Sequence, residues 1–314
     1  MLDPETNRNT VEWKLAGPED AALWVAVTRR SADQIPFESE DAQLERYKEE
    51  PPEQQVQRYL LWREDTPVGR LRFFTQGNTA YLDGLVLLPE AGGSVAAQVV
   101  TEALARAAAL NMRHLEANYP AAYIASFASA GFEQIRSRTG MMASTDVSIP
   151  LSPIPASLRV RKMTADDLDR VGTLLQRAYM GGPDSRYPDL AGWRAEVRAI
   201  YDGRSGPLLP ASCFVVEHAL DRFNLAGAVL THIERGIPRI HHTAVAPTFR
   251  HVGLGQLLVV KTMQSLHEQG YASVILYVTL GIPAVNLYRR LGFVEVGPTY
   301  IEAERKLSPT GTLV

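Results

Sequence analysis

With 314 residues the chain exceeds the usual single core, which points to two domains of about 150 residues each. Its hydrophobic fraction of 46% is ample for burial, while 32 basic against 35 acidic residues, a formal net charge of -3, exclude a non-specific grip on nucleic acid or anionic lipid and leave a small molecule or a protein as partner class. The single cysteine, Cys213, excludes an intrachain disulfide and a Cys-rich zinc site; inside the strand-like CFVVEHA it reads as a buried structural thiol. The start, MLDPETNRNT, has neither a basic n-region nor an apolar core, and no later run reaches the length of a membrane span, so a soluble cytoplasmic protein is expected.

The chain repeats itself. AGPEDAALWVAVT from Ala16 is echoed by MTADDLDRVGTLL from Met163, each an acidic helix start after a short strand. LVLLPEAGGSVAAQVV is echoed by AVAPTFRHVGLGQLL, and SFASAGFEQI by LYRRLGFVEV. The offset grows from 147 at Asp20/Asp167 to 158 at Pro89/Pro247 and 161 at Phe132/Phe293, as in a duplicated domain whose second copy carries an early insertion. The Pro/Ser-rich TDVSIPLSPIPASLRV reads as the linker. The expected domains are therefore 1–151 and 152–314, with the boundary near Ser152.

In the second copy LRVRK predicts a strand and TADDLDRVGTLLQRAY a helix with Thr164 as N-cap. An insertion follows, MGGPDSRYPDLAGWRAEVRAIYDGRSGPLLPASC, with a helix through LAGWRAEVRAIY. CFVVEHA, LAGAVLTHIE and RIHHTAVAP read as three successive strands. Beyond Val252, the apolar Leu254, Leu257, Leu258 and Val259 against Lys261 and Gln264 predict an amphipathic helix. SVILYVTL is a strand buried on both faces, PAVNLYRRLG a short helix stopped by Gly292, and FVEVG with TYIEAERKL a closing hairpin. The first copy reads in the same order, so the fold class is α/β (α+β): two tandem domains, each a mixed, mostly antiparallel sheet flanked by helices.

Between Pro247 and the helix, the amides of His251, Val252, Gly253, Leu254, Gly255 and Gln256 can point into one concavity at a helix N-terminus, an anion nest. Gly253 and Gly255 allow close backbone approach and positive φ, and Arg250 supplies a charge. A Gly-rich strand-to-helix turn is also common without a ligand. Other phosphate loops fit less well, since there is no G-x-x-x-x-G-K-[ST] and Leu258 stands where a dinucleotide fingerprint has its third glycine.

AVAPTFRHVGLGQLL resembles the acetyl-CoA segment V-x-P-x-x-[RQ]-x-x-G-x-[GA] of the GNAT N-acetyltransferase superfamily, and AVNLYRRLGF is similar to its A-x-x-L-Y-x-x-x-G-F segment. The resemblance covers the second half by element order and two motifs and the first half by order alone; in length and layout the chain is similar to duplicated members such as the mycothiol synthases. It implies an acyl-CoA-dependent N-acyltransferase with acetyl-CoA as co-substrate, no metal, and a primary amine of a small molecule as acceptor. Neither nucleic acid nor a membrane is expected as partner, and a homodimer is left open.

Acyl transfer from a thioester needs an oxyanion donor, an acid for the leaving thiolate and a base for the acceptor ammonium. The backbone N–H near Val245, on a splayed strand edge, suits the first. Tyr288 suits the second: a phenol of reference pKa about 10 against about 8.5 for a thiol arrives protonated, and the resemblance assigns the same role to the Tyr of L-Y. For the third, RIHHTAV offers adjacent histidines that strand alternation sends to opposite faces; the resemblance places a base at His241, Glu234 is the next candidate, and a water relay is a further one. The family often carries an Asn ahead of A-x-x-L-Y; here the sequence is TLGIPAVNLY, and Asn286 either takes over that cofactor contact or is a surface residue.

The first copy has Gly92, Val95 and Ala97 at the positions of Arg250, Gly253 and Gly255, and Phe127 at that of Tyr288, so it is read as degenerate. Trp24, Trp62 and Tyr81 are assigned to its core. In the insertion, Tyr187, Trp193 and Tyr201 are candidates to frame an acceptor, and Asp184 or Asp189 to attract its ammonium. Two other classes stay open: a catalytically inactive CoA-binding module, expected if Tyr288 is buried away from any cleft, and a transferase acting on a protein N-terminus or lysine.

Overall fold

A computed structural model describes residues 10–31, 38–49, 57–151 and 153–307. The first nine residues, which carry most of the leader argument, and Ser152, the expected boundary, lie outside the described residues.

In chain order the elements are β1 (Val11–Leu15), α1 (Ala21–Arg30), α2 (Glu40–Glu49), β2 (Gln57–Arg63), β3 (Thr66–Gln76), β4 (Thr79–Leu87), α3 (Gly93–Ala109), β5 (His114–Pro120), α4 (Ile124–Ser129) and β6 (Glu133–Ser144). The same order then recurs: β7 (Leu158–Lys162), α5 (Leu168–Tyr179), α6 (Leu190–Tyr201), β8 (Phe214–His218), β9 (Asp221–Glu234), β10 (Ile237–Val245), α7 (Leu254–Glu268), β11 (Ser273–Thr279), α8 (Pro283–Arg290) and β12 (Val294–Lys306).

Two compact units result, and they do not follow the expected division at 151/152: one comprises 1–138 with 297–314, the other 139–296. In the first unit the strands run β1-β2-β3-β4-β5-β12, antiparallel except for β4 beside β5. Its sixth strand is the end of the chain, with Tyr300 opposite Pro120 and Lys306 opposite His114. In the second unit the order is β6-β11-β10-β9-β8-β7, the sixth place being taken by the end of β6. The expected closing hairpin is therefore a single strand, β12, of 13 residues. Its residues pair with β5 rather than with each other, which is why a boundary drawn through the linker misses the division.

The second unit is held by two apolar layers. On one side α7 buries Leu254, Leu257, Leu258, Val259, Val260, Met263 and Leu266; each large aliphatic chain so buried contributes about 1.5–3 kcal/mol. On the other, α5 and α6 bury Val171, Leu174, Leu175, Trp193, Val197 and Ile200. The start of α5 is tied by a capping box, in which Thr164 N–H donates to Asp167 and Asp167 accepts two bonds of 2.7 Å from Arg161. Gly172 sets how near α6 comes. A Cβ there would sit 2.7 Å from Cγ and 3.0 Å from Cα of Arg194, so only a glycine admits this approach. Cys213 is buried, and burial pushes its thiol up to about 11, as an inert structural cysteine requires.

Candidate active site

The site is built where β10 and β11 part. The two strands are parallel neighbours, yet they pair only at Arg239–Ile275 and Ile240–Leu276, whereas β10 runs on to Val245 and β11 to Thr279. Beyond Ile240, β10 stays bonded to β9 through Thr243–Val229, Ala244–Ala228 and Val245–Gly227. Its other edge, at Val245, is left facing the opening.

At the end of β10 the chain turns through Pro247–Phe249 into α7. His251 has φ 65° and Gly253, the N-cap, φ 84°. The second value lies in the left-handed region that costs an L-residue roughly 1–2 kcal/mol, and a Cβ at Gly253 would meet nothing within 4 Å, so backbone conformation rather than crowding is the requirement there. The amide of Leu257 bonds to the carbonyl of Gly253 at 3.0 Å, which leaves the amides of Gly253, Leu254, Gly255 and Gln256 ahead of the helical ladder. Gly255 differs: its missing side chain lets Leu287 of α8 come close, a Cβ there lying 3.2 Å from Leu287 Cδ2. Arg250 donates to the carbonyl of Ala178 at 2.7 Å, and Asn286 is exposed on α8.

Tyr288, on α8, is 8% exposed. Burial raises its phenol, the neighbouring Thr243 side chain draws it down and the Asp184 carboxylate raises it again; the net direction is upward, so it stays protonated. Asp184 accepts from Thr279 Oγ1 at 2.6 Å, at the end of β11. Asp189 is instead the N-cap of α6, accepting from Gly192 N–H at 2.9 Å. Trp193 is core, with Tyr179 stacked on it at 5.4 Å and Tyr187 edge-on at 5.2 Å.

The two adjacent histidines do not diverge as alternation requires. Ile240 faces Thr231 and His242 faces Leu230, so His241 is an extra, unopposed residue in the ladder. Such a bulge re-aims side chains. As a result His242 Nε2 donates to Glu196 Oε1 at 3.0 Å, and His241 Nε2 lies 3.4 Å from the same oxygen. On its other side His241 Nδ1 lies 3.0 Å from Nε2 of His232, whose Nδ1 lies 3.1 Å from the carbonyl of Ile233. Tyr179 closes the far end, donating to the carbonyl of Thr243 at 3.3 Å, with its hydroxyl 3.5 Å from His242 Nδ1.

Charge in this row is unevenly held. Burial would raise Glu196, but hydrogen bonding from His242 and Tyr187 holds it well below the usual carboxylate range. Burial lowers His241 to about 3, against the pull of Glu196, and lowers His242 and His232 as well. The row is therefore one carboxylate among neutral imidazoles. Glu234 is paired with Arg239; burial raises it, but the guanidinium wins and holds the carboxyl below its ordinary value. Among the described residues Glu196, His241 and His242 also form a group whose donor atoms, all within 4.8 Å of one another, are spaced as a cation would need, although the His242–Glu196 hydrogen bond accounts for two of them without one.

The sequence points to His241 but not to Glu196 or His232. A signal existed for the first: Glu196 shares the face of α6 that buries Trp193, Val197 and Ile200, and a carboxylate in an apolar stripe requires a partner.

The first unit departs at each corresponding place. Gly92 is the N-cap of α3, Val95 is buried, and Phe127 is fully buried with its ring 3.6 Å from that of Tyr119. Beyond the last β4–β5 pair, Leu82–Ala117, Asn118 donates to Asp83 at 3.2 Å. A cavity of about 190 Å³ there is lined by Asp83, Glu116 and Glu302 among others, Glu302 being paired with Arg136 and Arg138. Trp24 is core as expected, while Trp62 and Tyr81 are half-buried.

Comparison with known proteins agrees with this geometry. Residues 213–309 match the family model described as acetyltransferase (GNAT) domain. The fold is similar to that of a GCN5-related N-acetyltransferase from Sphaerobacter thermophilus, with a TM-score of 0.72 at 16% identity over 94% of this chain and 95% of that one. It is likewise similar to a tandem GNAT protein from the clavulanic acid biosynthesis pathway, with a TM-score of 0.66 at 16% identity over 94% and 98%. A glucosamine N-acetyltransferase region of a fungal multi-domain GH3 β-N-acetylglucosaminidase gives 0.62 at 12% identity over 94% of this chain and 38% of that one. No curated protein matches the sequence. The fold is thus that of the GNAT proteins, and the family match itself is confined to residues 213–309. This chain is a tandem GNAT-fold protein whose second half carries the acetyltransferase domain. No helix among the described residues is long and apolar enough to cross a membrane.

Proposed function

We propose that the second unit transfers the acetyl group of acetyl-CoA to a primary amine of a small molecule. The observation that carries this reading is the parting of β10 and β11 beyond Ile240, with the free helix N-terminus of α7 at one end of the opening and Tyr288 beside Thr243 at the other. The amides from His251 to Gln256 receive the diphosphate, with Arg250 at the rim. Val245 N–H faces the thioester oxygen as negative charge gathers on it. Asp184 draws in the ammonium, and Tyr179 and Tyr187 wall the acceptor side; their enclosure by α6 supports a small molecule over a protein chain.

In the reaction the ammonium gives one proton to His241 and the freed amine attacks the thioester carbon. The C–S bond then breaks, its electron pair going to sulfur, which takes the proton of Tyr288. Tyr288 regains a proton from the nitrogen that has become an amide, so one proton in all leaves through His241. Glu234, tied to Arg239, is a weaker candidate for that base.

Burial of Tyr288 favours a second reading, a CoA-binding module without turnover. Calorimetric titration with acetyl-CoA, followed by a free-thiol assay over amines including amino sugars, separates the two. One binding event per chain with thiol release supports transfer; binding with no release over the amine set supports the module; no binding ends both.

A further inference from the structure

His232 projects from β9 and is fully buried beside His241, with the ring centroids 5.0 Å apart. The hydrogens of this pair can be counted. The carbonyl of Ile233 can only accept, so His232 Nδ1, 3.1 Å away, carries the hydrogen. A neutral imidazole has one hydrogen, which leaves His232 Nε2 as a lone pair. The 3.0 Å contact to His241 Nδ1 then requires the hydrogen of His241 to sit on Nδ1. His241 Nε2 is left bare, and its 3.4 Å separation from Glu196 Oε1 is long for an N–H···O bond, as a lone pair beside a carboxylate should be.

We propose that His232 is the positioning residue that fixes His241 in its Nδ1–H tautomer, so that Nε2 is the atom that accepts the proton of the acceptor ammonium, next to the Glu196 carboxylate that balances the imidazolium formed. The tautomer rests on the geometry alone; the proton-accepting step rests on the acetyl-transfer reading. In that step an N–H bond of the ammonium breaks, its electron pair stays on the amine nitrogen, and a new N–H bond forms at His241 Nε2. The positive charge moves from the amine to a ring whose charged neighbours are Glu196 from α6 and Arg239 on its own strand, with His242 and His232 as the titratable rings beside it. Burial of both rings favours the neutral starting state the count assumes. A hydrogen bond to one ring nitrogen, which fixes the other as the free one, is the general means of aiming a histidine.

The test is nitrogen NMR of the imidazoles in the full-length protein at pH 7.5, with His241 identified by loss of its signals in His241→Asn. A protonated Nδ1 and bare Nε2 at His241, with a scalar coupling to His232 Nε2 across the hydrogen bond, is the expected result; a protonated Nε2 at His241 overturns the proposal without any variant at His232 having to fold. In His232→Gln the side-chain carbonyl can still accept from Nδ1, and the tautomer should persist; in His232→Leu it should switch to Nε2–H. With an amine that turns over, His232→Leu should lower kcat at least about tenfold with the KM for acetyl-CoA within twofold, and His232→Gln should recover most of it. Equal kcat in His232→Leu and the parent overturns the positioning role. An Nδ1–H tautomer in a protein that does not bind acetyl-CoA would sink the transfer reading, and with it the proton-accepting step, while leaving the tautomer in place.

Discussion

Glu196 and His242, 46 residues apart in sequence, are joined by a 3.0 Å hydrogen bond in which the imidazole donates to a carboxylate that is only 8% exposed. Because the carboxylate holds its charge and the rings around it do not, the row couples stability to pH. His241 takes a proton near 6.5 when unfolded but only at about 3 when folded. Its stabilising contribution is therefore whole above pH 6.5 and is lost as pH falls toward 3, by up to about 1.4 kcal/mol per pH unit. His232 and His242, also lowered, act in the same direction, and Glu196 adds its own loss once pH falls below its unfolded value. Urea unfolding at pH 8, 6.5 and 5 should give a free energy that declines with acidity, less steeply in His241→Asn. A flat profile between pH 7 and 5 would show that these rings are not buried neutral.

The Tyr288 phenol should matter to turnover and not to binding. Burial and Asp184 keep it protonated although Thr243 draws it down, which is the state a general acid must start from. Tyr288→Phe is expected to cut kcat by roughly 10²–10⁴-fold, the usual worth of a positioned acid, while the Kd for acetyl-CoA stays within about twofold. Unchanged kcat would return Tyr288 to the role of a packed helix residue, in keeping with its 5.6 Å edge contact to Phe293.

At the other end of the opening, Gly253→Val puts a β-branched side chain at φ 84°, a strain of roughly 1–2 kcal/mol that rotates the amides ahead of α7. Paired with Arg250→Ala, it should weaken acetyl-CoA binding at least about a hundredfold by calorimetry. Phe127→Tyr should not create a second event, since Gly92, Val95 and Ala97 still stand in the places of Arg250, Gly253 and Gly255. Two events per chain in the parent protein would refute the reading of that unit as degenerate.

Much of this is legible in the sequence. The helix N-terminus after Arg250, the tyrosine of α8 and the order of elements along the chain up to α8 are all readable, because each follows from local chemistry: a glycine at positive φ, a proline at a first helical turn, period-2 apolar runs. The pairing of β12 with β5 is not, since strand partners far apart in sequence leave no local mark. Nor is the direction of His241. Alternation rules assume an unbroken ladder, and one extra residue opposite the Leu230–Thr231 step brings His241 and His242 to the same carboxylate oxygen. Glu196 stands out only once α6 is seen to bury Trp193, Val197 and Ile200 on the same face.

The position of Glu196 depends on a contact remote from it, and this can be broken. Gly172 on α5 faces Arg194 on α6, where a Cβ would fall 2.7 Å from Arg194 Cγ and 3.0 Å from its Cα. Cγ belongs to a flexible side chain and can yield; Cα is backbone and cannot yield without moving the helix. Gly172→Ala should thus push α6 outward by a few tenths of an ångström and lengthen the Glu196–His242 bond two residues further on. A stability loss of about 1–3 kcal/mol is expected for such overpacking, read as a fall of several degrees in Tm. The ring N–H of His242 should also exchange faster with solvent, because the carboxylate that accepts it has withdrawn. A variant of parental Tm with unchanged His242 exchange would mean that α6 is placed by its contacts to β8–β10 instead, through Trp193 and Val197, and that the glycine is incidental.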